Sequence, residues 1–280
     1  MATIRITTLV ENTAKQSLIG EHGLAFWIET QAGNVLLDTG QGRAIGHNAH
    51  KLGIDLSQVN VIVLSHGHYD HTGGLDAAAT AEQADIYIHP AALEPKFTRQ
   101  PMGQARYIGM PDSSRRILDQ AQRRVIHTDK PTEILRGIHV TGPIPRATDF
   151  EDTGGEFFLD ESCSIRDELI DEQAVFFDTS DGTVVLLGCA HSGAINTLMY
   201  VQQLTGQRPI LAVIGGMHLL SAGQHRMDAT VEALGRVDVK KIGLAHCTGF
   251  AAMARLHNEF PDRCFHCTAG TQMEFTCRST

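Results

Sequence analysis

Three imidazoles and one carboxylate fall within six residues of the stretch Ser65-His66-Gly67-His68-Tyr69-Asp70-His71. Together they form a ligand set for zinc, iron or manganese. The stretch follows Asn60-Val61-Ile62-Val63-Leu64, an apolar run that reads as a buried strand, and precedes Thr72-Gly73-Gly74-Leu75. His66 and His68 alternate along extended chain, while Asp70 and His71 follow where the backbone turns. This arrangement suits two neighbouring cations better than one closed tetrahedral cage. A polar loop that happens to be histidine-rich is the bland alternative.

Histidines recur at three other expected strand ends, in Gly188-Cys189-Ala190-His191-Ser192-Gly193, Gly215-Gly216-Met217-His218 and Ala245-His246-Cys247-Thr248-Gly249. Each motif ends an apolar run and is bordered by glycine, where backbone must pass close to something. In open sheets flanked by helices, ligands gather at strand ends. One such histidine would be structural more often than not. Three in series, added to the first cluster, favour a shared metal centre. The remaining histidines (His47, His50, His127, His139, His225, His257 and His266) belong to no ligand-spaced group and read as surface or packing residues, as does His89 before Pro90.

The elements that would position these groups follow from hydrophobic periodicity. Strands are expected at Ile4–Val10, Leu24–Thr30, Asn34–Asp38, Val61–Leu64 and Ile86–Ile88, with Gln31-Ala32-Gly33 as a hairpin turn and Trp27 in the core. Short helices are expected at 43–52 and Asp76–Gln83. The second half predicts a hairpin of Ala174–Phe177 and Thr183–Leu187. It then predicts helices at Ala194–Leu204 and Asp228–Leu234, and strands at Ile210–Ile214, Lys241–Leu244 and Gln272–Phe275. Leading strands with interleaved helices predict an α/β (α+β) fold of two stacked sheets with helices outside. No low-complexity linker divides residues 1–280, so one domain is expected. Residues 94–124 stand apart, with seven lysines and arginines (Lys96, Arg99, Arg106, Arg115, Arg116, Arg123 and Arg124) against Glu94, Asp112 and Asp119. Three prolines interrupt that segment, which reads as a basic insertion of loop and broken helix near the active site.

Composition bounds the function. At 280 residues, 42% hydrophobic and 20% charged, the chain has the make-up of an ordinary soluble globular protein. A formal net charge of −9 argues against nucleic-acid binding through a basic surface. The start lacks a charged region leading into an apolar stretch, and no apolar run could cross a bilayer. A cytoplasmic protein with no membrane partner is therefore expected. Six cysteines in a chain this long do not form a disulfide framework, and the Cys264-Phe265-His266-Cys267 spacing lacks the second pair that a structural zinc site requires.

The His-x-His-x-Asp-His motif after an apolar strand, preceded by Asp38-Thr39-Gly40, resembles the metallo-β-lactamase superfamily. The resemblance implies a four-layer αββα sandwich with a metal centre at one sheet edge. Glu21–Leu24, Asn48–Asp55, Ser65–Leu75, Thr141–Arg146, Gly188–Gly193, Gly215–Leu219 and His246–Gly249 resemble one branch. It is named for 7,8-dihydropterin-6-methyl-4-(β-D-ribofuranosyl)aminobenzene-5′-phosphate synthase. By position, the resemblance gives His66, His68 and His191 to a first metal and Asp70, His71 and His246 to a second. Asp38 would accept a hydrogen bond from a ligating imidazole. It casts Asp70 and His218 as catalytic candidates and His22 as a residue facing the substrate. Zinc, one or two ions per chain, is the expected cofactor, with iron or manganese as alternatives. One departure is plain. Most members bridge the metals with an aspartate where this chain has Cys189, so the thiolate bridges, His218 or Asp171 compensates, or the second metal is weakly held. The implied substrate is an anionic small molecule, phosphorylated or diphosphorylated and pterin-like, with phosphate contacts sought in 94–124 and Arg146. A metal-dependent phosphodiesterase or ester or lactone hydrolase is the second reading. A noncatalytic metal-binding or ligand-sensing protein is the third, since one scaffold hosts many chemistries.

Overall fold

A computed structural model describes residues 3–78, 83–101, 103–120 and 124–277. Arg123, and residues 79–82 of the helix expected at Asp76–Gln83, lie outside them. Two seven-stranded sheets dominate the molecule. The first runs in the order Gln272–Thr276, Thr3–Val10, Ala25–Thr30, Gly33–Leu37, Val59–Leu64, Asp85–Ile88, Val125–His127. The second runs Cys264–His266, Lys241–Ala245, Ile210–Gly216, Thr183–Leu187, Val175–Asp178, Ile138–Val140, Thr132–Leu135. Each sheet is parallel through four strands and antiparallel through the rest.

Strand periodicity explains why the sheets stack. Val61 and Val63 enter a core between the sheets with Val184, Leu186, Ala212 and Ile214, while Ile62 and Leu64 point to the opposite face. Val185 and Leu187 likewise face outward. Both faces of these strands are covered, so their sequences read as unbroken apolar runs rather than alternating ones. Helix Ile45–Leu52 and the short turns Leu75–Ala78 and Asp112–Leu118 cover the first sheet, through Ile45, Ala49, Leu75 and Ala78. Helices Ala194–Leu204, Gln224–Val237 and Phe250–Glu259 cover the second through Leu198, Val201, Leu234 and Leu256. The layers are thus helix, sheet, sheet, helix. The helix expected at Asp228–Leu234 extends a turn in each direction to Gln224–Val237.

The basic insertion differs from its expected loop. Phe97–Arg99 pairs with Ala105–Tyr107 and with the distant Phe157–Phe158, forming a third, three-stranded sheet. Lys96 is fully buried, with Nζ 2.8 Å from Asp167 and 3.1 Å from Asp171. Carboxylates more than 70 residues downstream compensate this buried ammonium, and no local pattern encodes that pairing. Among the described residues no helix is long and apolar enough to cross a membrane.

Candidate metal centre

Strands Gly33–Leu37, Val59–Leu64, Thr183–Leu187, Ile210–Gly216 and Lys241–Ala245 all end at one rim, and each releases a donor-bearing turn there. Two glycines permit the close approach. A Cβ on Gly188 would lie 2.1 Å from Ser65 Oγ, and one on Gly216 would lie 2.6 Å from Cys247 Sγ. Asp38, Ala190, His218 and His246 all adopt left-handed backbone, with φ between 46° and 59°. Non-glycine residues reach that region at a conformational cost, and such strain collects at functional sites.

A hydrogen-bond relay built on Asp38 orients the first cluster. Its Oδ1 accepts from the Ser65 backbone N–H at 2.7 Å, and its Oδ2 accepts from Ser65 Oγ and from His71 Nδ1, each at 2.7 Å. Ser65 Oγ, having donated its proton, accepts from His66 Nδ1 at 2.9 Å. His66 therefore carries its proton on Nδ1 and turns an unprotonated Nε2 inward, as metal-ligating imidazoles do, and the bond to Asp38 sets the His71 ring in the same orientation. His191 Nδ1 donates to the Thr153 carbonyl at 2.9 Å and His246 Nδ1 to Asn12 Oδ1 at 2.9 Å, with the same result.

The inward atoms converge. His66 Nε2 lies 3.0 Å from His68 Nδ1, and His71 Nε2 lies 3.1 Å from Cys189 Sγ and 3.3 Å from His246 Nε2. Asp70 Oδ2 lies 3.0 Å from His22 Nε2, 3.4 Å from His246 Nε2 and 3.9 Å from His71 Nε2. Donor atoms within 4.8 Å of one another occur in the sets His66–Cys189–His191, His71–Cys189–His246, His22–Asp70–His246 and Cys189–His218–Cys247. His68 Nε2 and His191 Nε2 are buried without a hydrogen-bond partner among the described residues. Buried polar atoms are almost always paired. Orphaned imidazole nitrogens beside a carboxylate and thiols are the donor chemistry that a divalent cation satisfies, so the residues present fit one.

Electrostatics separates the two halves of the cluster. Burial pushes His68 down to about 3 and holds His66 and His191 well below the ordinary imidazole range. Burial also opposes charge on His71, but Asp38 and Asp70 outweigh it and push His71 up to about 9. Burial raises the Asp70 carboxyl, yet His71, His22 and His246 together hold it well below its ordinary value.

Several supporting residues carry no sequence signature. Buried Glu172 accepts from the Ala190 and His191 N–H groups, and buried Glu11 accepts from the His246 N–H at 2.8 Å. Both carboxylates fix the left-handed turns that aim the donors. Such residues reveal themselves only through burial. Asp171 stands apart from the donors, committed to Lys96 and the Gly67 N–H at 2.8 Å. Arg146 likewise turns toward Glu168, at 3.3 Å, and the His191 carbonyl, at 3.4 Å, behind the centre. His22 is half-exposed at the rim. His218 packs against His191 with ring centroids 4.2 Å apart and the ring planes tilted by 44°.

The donors floor a cavity of about 520 Å³. Tyr69, Ile108, Phe157, Leu220, Phe250 and Met253 give it an apolar wall, and no lysine or arginine lines it among the described residues. Arg106 reaches its edge, with Nη2 3.0 Å from Tyr69 Oη.

Comparison with known proteins matches this arrangement to relatives. A curated protein of Methanocaldococcus jannaschii, 7,8-dihydropterin-6-methyl-4-(beta-D-ribofuranosyl)-aminobenzene-5′-phosphate synthase, is 29% identical over 97% of both chains. The crystal structure of a metal-dependent hydrolase of the beta-lactamase superfamily superimposes with a TM-score of 0.82 at 28% identity. That match covers 98% of this chain and 99% of the other. The fold also matches the metallo-beta-lactamase fold protein YhfI from Bacillus subtilis, with a TM-score of 0.60 at 12% identity over 98% of this chain and all of the other. A family model matches residues 18–246, an interval that opens before Asp38 and closes on His246. With the sandwich, the rim of donors and this match in agreement, the chain belongs to the metallo-beta-lactamase superfamily.

Proposed function

We propose that this protein is a metal-dependent enzyme that acts on a phosphorylated or diphosphorylated small molecule with a flat, pterin-like ring, as a synthase that displaces diphosphate. The observation that carries this reading is the pairing of an inward-facing donor cluster with an apolar, partly aromatic wall that no lysine or arginine lines among the described residues, Arg106 reaching only its edge at Tyr69. Arg106 at the edge and His22 at the rim are the basic side chains near the mouth, and deeper in the cavity ions held by the donors would supply the positive charge for a phosphate. The full-length similarity to the Methanocaldococcus jannaschii synthase supports the substrate class.

Within this reading, His66, His68 and His191 hold one cation and Asp70, His71 and His246 the other, with Cys189 Sγ between the sets. When bound, such cations supply positive charge that binds a diphosphate and stabilises it as it leaves. The chain's own residues do the rest. Tyr69 and Phe157 offer ring faces for a heterocycle, and stacked aromatic pairs contribute about 0.5–1.5 kcal/mol beyond their area. The hydrogen bond to Asp70 raises His22 above the ordinary imidazole value and holds this half-exposed ring at the rim, where its Nδ1 side would meet an anionic group. Leu220 and Phe250, both strongly exposed, stand at the mouth and would lose water against a bound ring.

A second reading, metal-dependent hydrolysis, is supported by the 28% identical hydrolase structure. One experiment separates the two. Metal-loaded protein is given a pterin-methyl diphosphate with and without an aminobenzene ribotide, and bis-p-nitrophenyl phosphate and an acyl lactone in parallel. Diphosphate release that requires the amine and stops with chelator is the expected result. Release of p-nitrophenol or lactone opening without any amine-dependent reaction would move the assignment to hydrolase. Stoichiometric metal with no turnover of any of them would favour a binding protein.

A further inference from the structure

We propose that Cys189, His218 and Cys247 form an additional metal position, selective for one thiophilic divalent cation, beside the nitrogen and oxygen donors of the main cluster. Their donor atoms all lie within 4.8 Å of one another, and all three residues line the cavity. In a tetrahedral zinc site with sulfur ligands at about 2.3 Å, donors stand roughly 3.3–3.8 Å apart. The observed spacing therefore closes on an ion with side-chain adjustments of about an ångström.

Three independent features favour a built position over two thiols that merely pack together. His218 Nδ1 is buried and has no hydrogen-bond partner among the described residues. The His218 backbone is held at a φ of 46°, a strained setting, with one ring nitrogen within 4.8 Å of both sulfurs. Glycine at position 216 leaves room for Cys247 Sγ, which a Cβ there would approach to 2.6 Å. Both cysteines are free, and Cys247 Sγ lies 3.5 Å from the Cys189 carbonyl and interacts with the Cys189 thiol and the His218 ring, so the three side chains already meet at one point.

The chemistry of this set differs from that of its neighbours. Two thiolates and one imidazole are soft donors that discriminate against manganese and magnesium, whereas imidazole with carboxylate does not. Three protein ligands with a fourth side open to the cavity form the coordination pattern that leaves a place for water or substrate. Cys189 also belongs to the His66–His191 and His71–His246 sets, so an ion here would communicate with the main centre through one sulfur. The position does not depend on the substrate assigned above.

Cobalt provides the test. Metal-free protein titrated with Co²⁺ should develop a near-ultraviolet thiolate-to-cobalt charge-transfer band. Cys247→Ser should cut its intensity by about half, since one of two sulfur ligands is lost. His218→Ala should lower cobalt uptake by about one ion per chain. His68→Ala should leave the band in place, which distinguishes failure of this position from failure of the main centre. A parent protein without the band, or Cys247→Ser with the full parental band, overturns the proposal. Cadmium-113 resonance on the unmodified chain provides a check that needs no variant. A signal in the two-thiolate range supports the position, and signals from nitrogen and oxygen coordination alone overturn it.

Discussion

Single atoms decide how the cluster meets a cation. In the metal-free protein His71 keeps its proton up to about 9, while burial leaves His66, His68 and His191 neutral well below pH 7. Occupying the His71 position at pH 7 must then expel a proton, whereas occupying the His66–His68 position expels none. Calorimetric titration of Cys189→Ser protein, whose remaining main-cluster donors include no thiol, in buffers of different ionisation enthalpy should register about one proton for the His71 class of site and none for the His66–His68 class. Affinity of the His71 position should rise up to about tenfold per unit between pH 7 and 9, then level off once the imidazole is neutral in both states. Equal proton release from both classes would contradict this assignment. Asp38 gives a second test. It holds His71 directly and His66 through Ser65, so Asp38→Asn leaves the volume unchanged but weakens both orientations. Loss of an outer hydrogen-bond partner of this kind costs about 10–100-fold in metal affinity. Competition with a chromophoric chelator would measure it, and unchanged affinity would show that Asp38 serves packing only.

At the scale of elements, the third sheet depends on an ion triad. Lys96→Met would strand Asp167 and Asp171 in the interior, which costs about 3–5 kcal/mol when a buried pair loses one partner. Urea denaturation should show that loss at neutral pH. The two carboxylates hold the Lys96 ammonium above its ordinary value against the opposing effect of burial. The stabilisation is therefore fully present below about pH 10.5 and is lost only as pH rises beyond the folded-state value. This triad also marks where sequence reading ends. Short unbroken apolar runs such as Val61–Leu64 and Thr183–Leu187 announce their strands, and glycine-bordered histidines announce the strand ends. Those signals are local. Lys96 finds its partners across more than 70 residues, and Glu11 reaches His246 across 235. Pairings at such distances leave nothing in the chain for a short window to detect, so the basic insertion looked like loop. Arg146 illustrates the same limit, since its sequence position suits an anion but its guanidinium turns to Glu168.

Across the whole molecule, the candidate donors are divided between the two sheets. His66, His68, Asp70 and His71 follow a strand of the first, and Cys189, His191 and His246 follow strands of the second. A cation bound between them ties the halves together and stabilises only the folded chain. Free metal at 100 to 1,000 times its dissociation constant contributes about 2.7–4.1 kcal/mol for each site. Chelation should consequently lower the melting temperature by about 5–15 °C, recoverable on adding metal back. An unchanged melting temperature after verified removal would mean that the sheets hold together without help from the rim. The pairing of Gln272–Thr276 with Thr3–Val10, in register from Thr7–Gln272 to Thr3–Thr276, has a practical corollary. Thr3 and Cys277 border one hollow beside the Thr30–Ala32 turn, at the pole away from the donors. A probe fixed on Cys277 would therefore sit across the molecule from the donors, and the labelled protein should take up metal as the unlabelled form does.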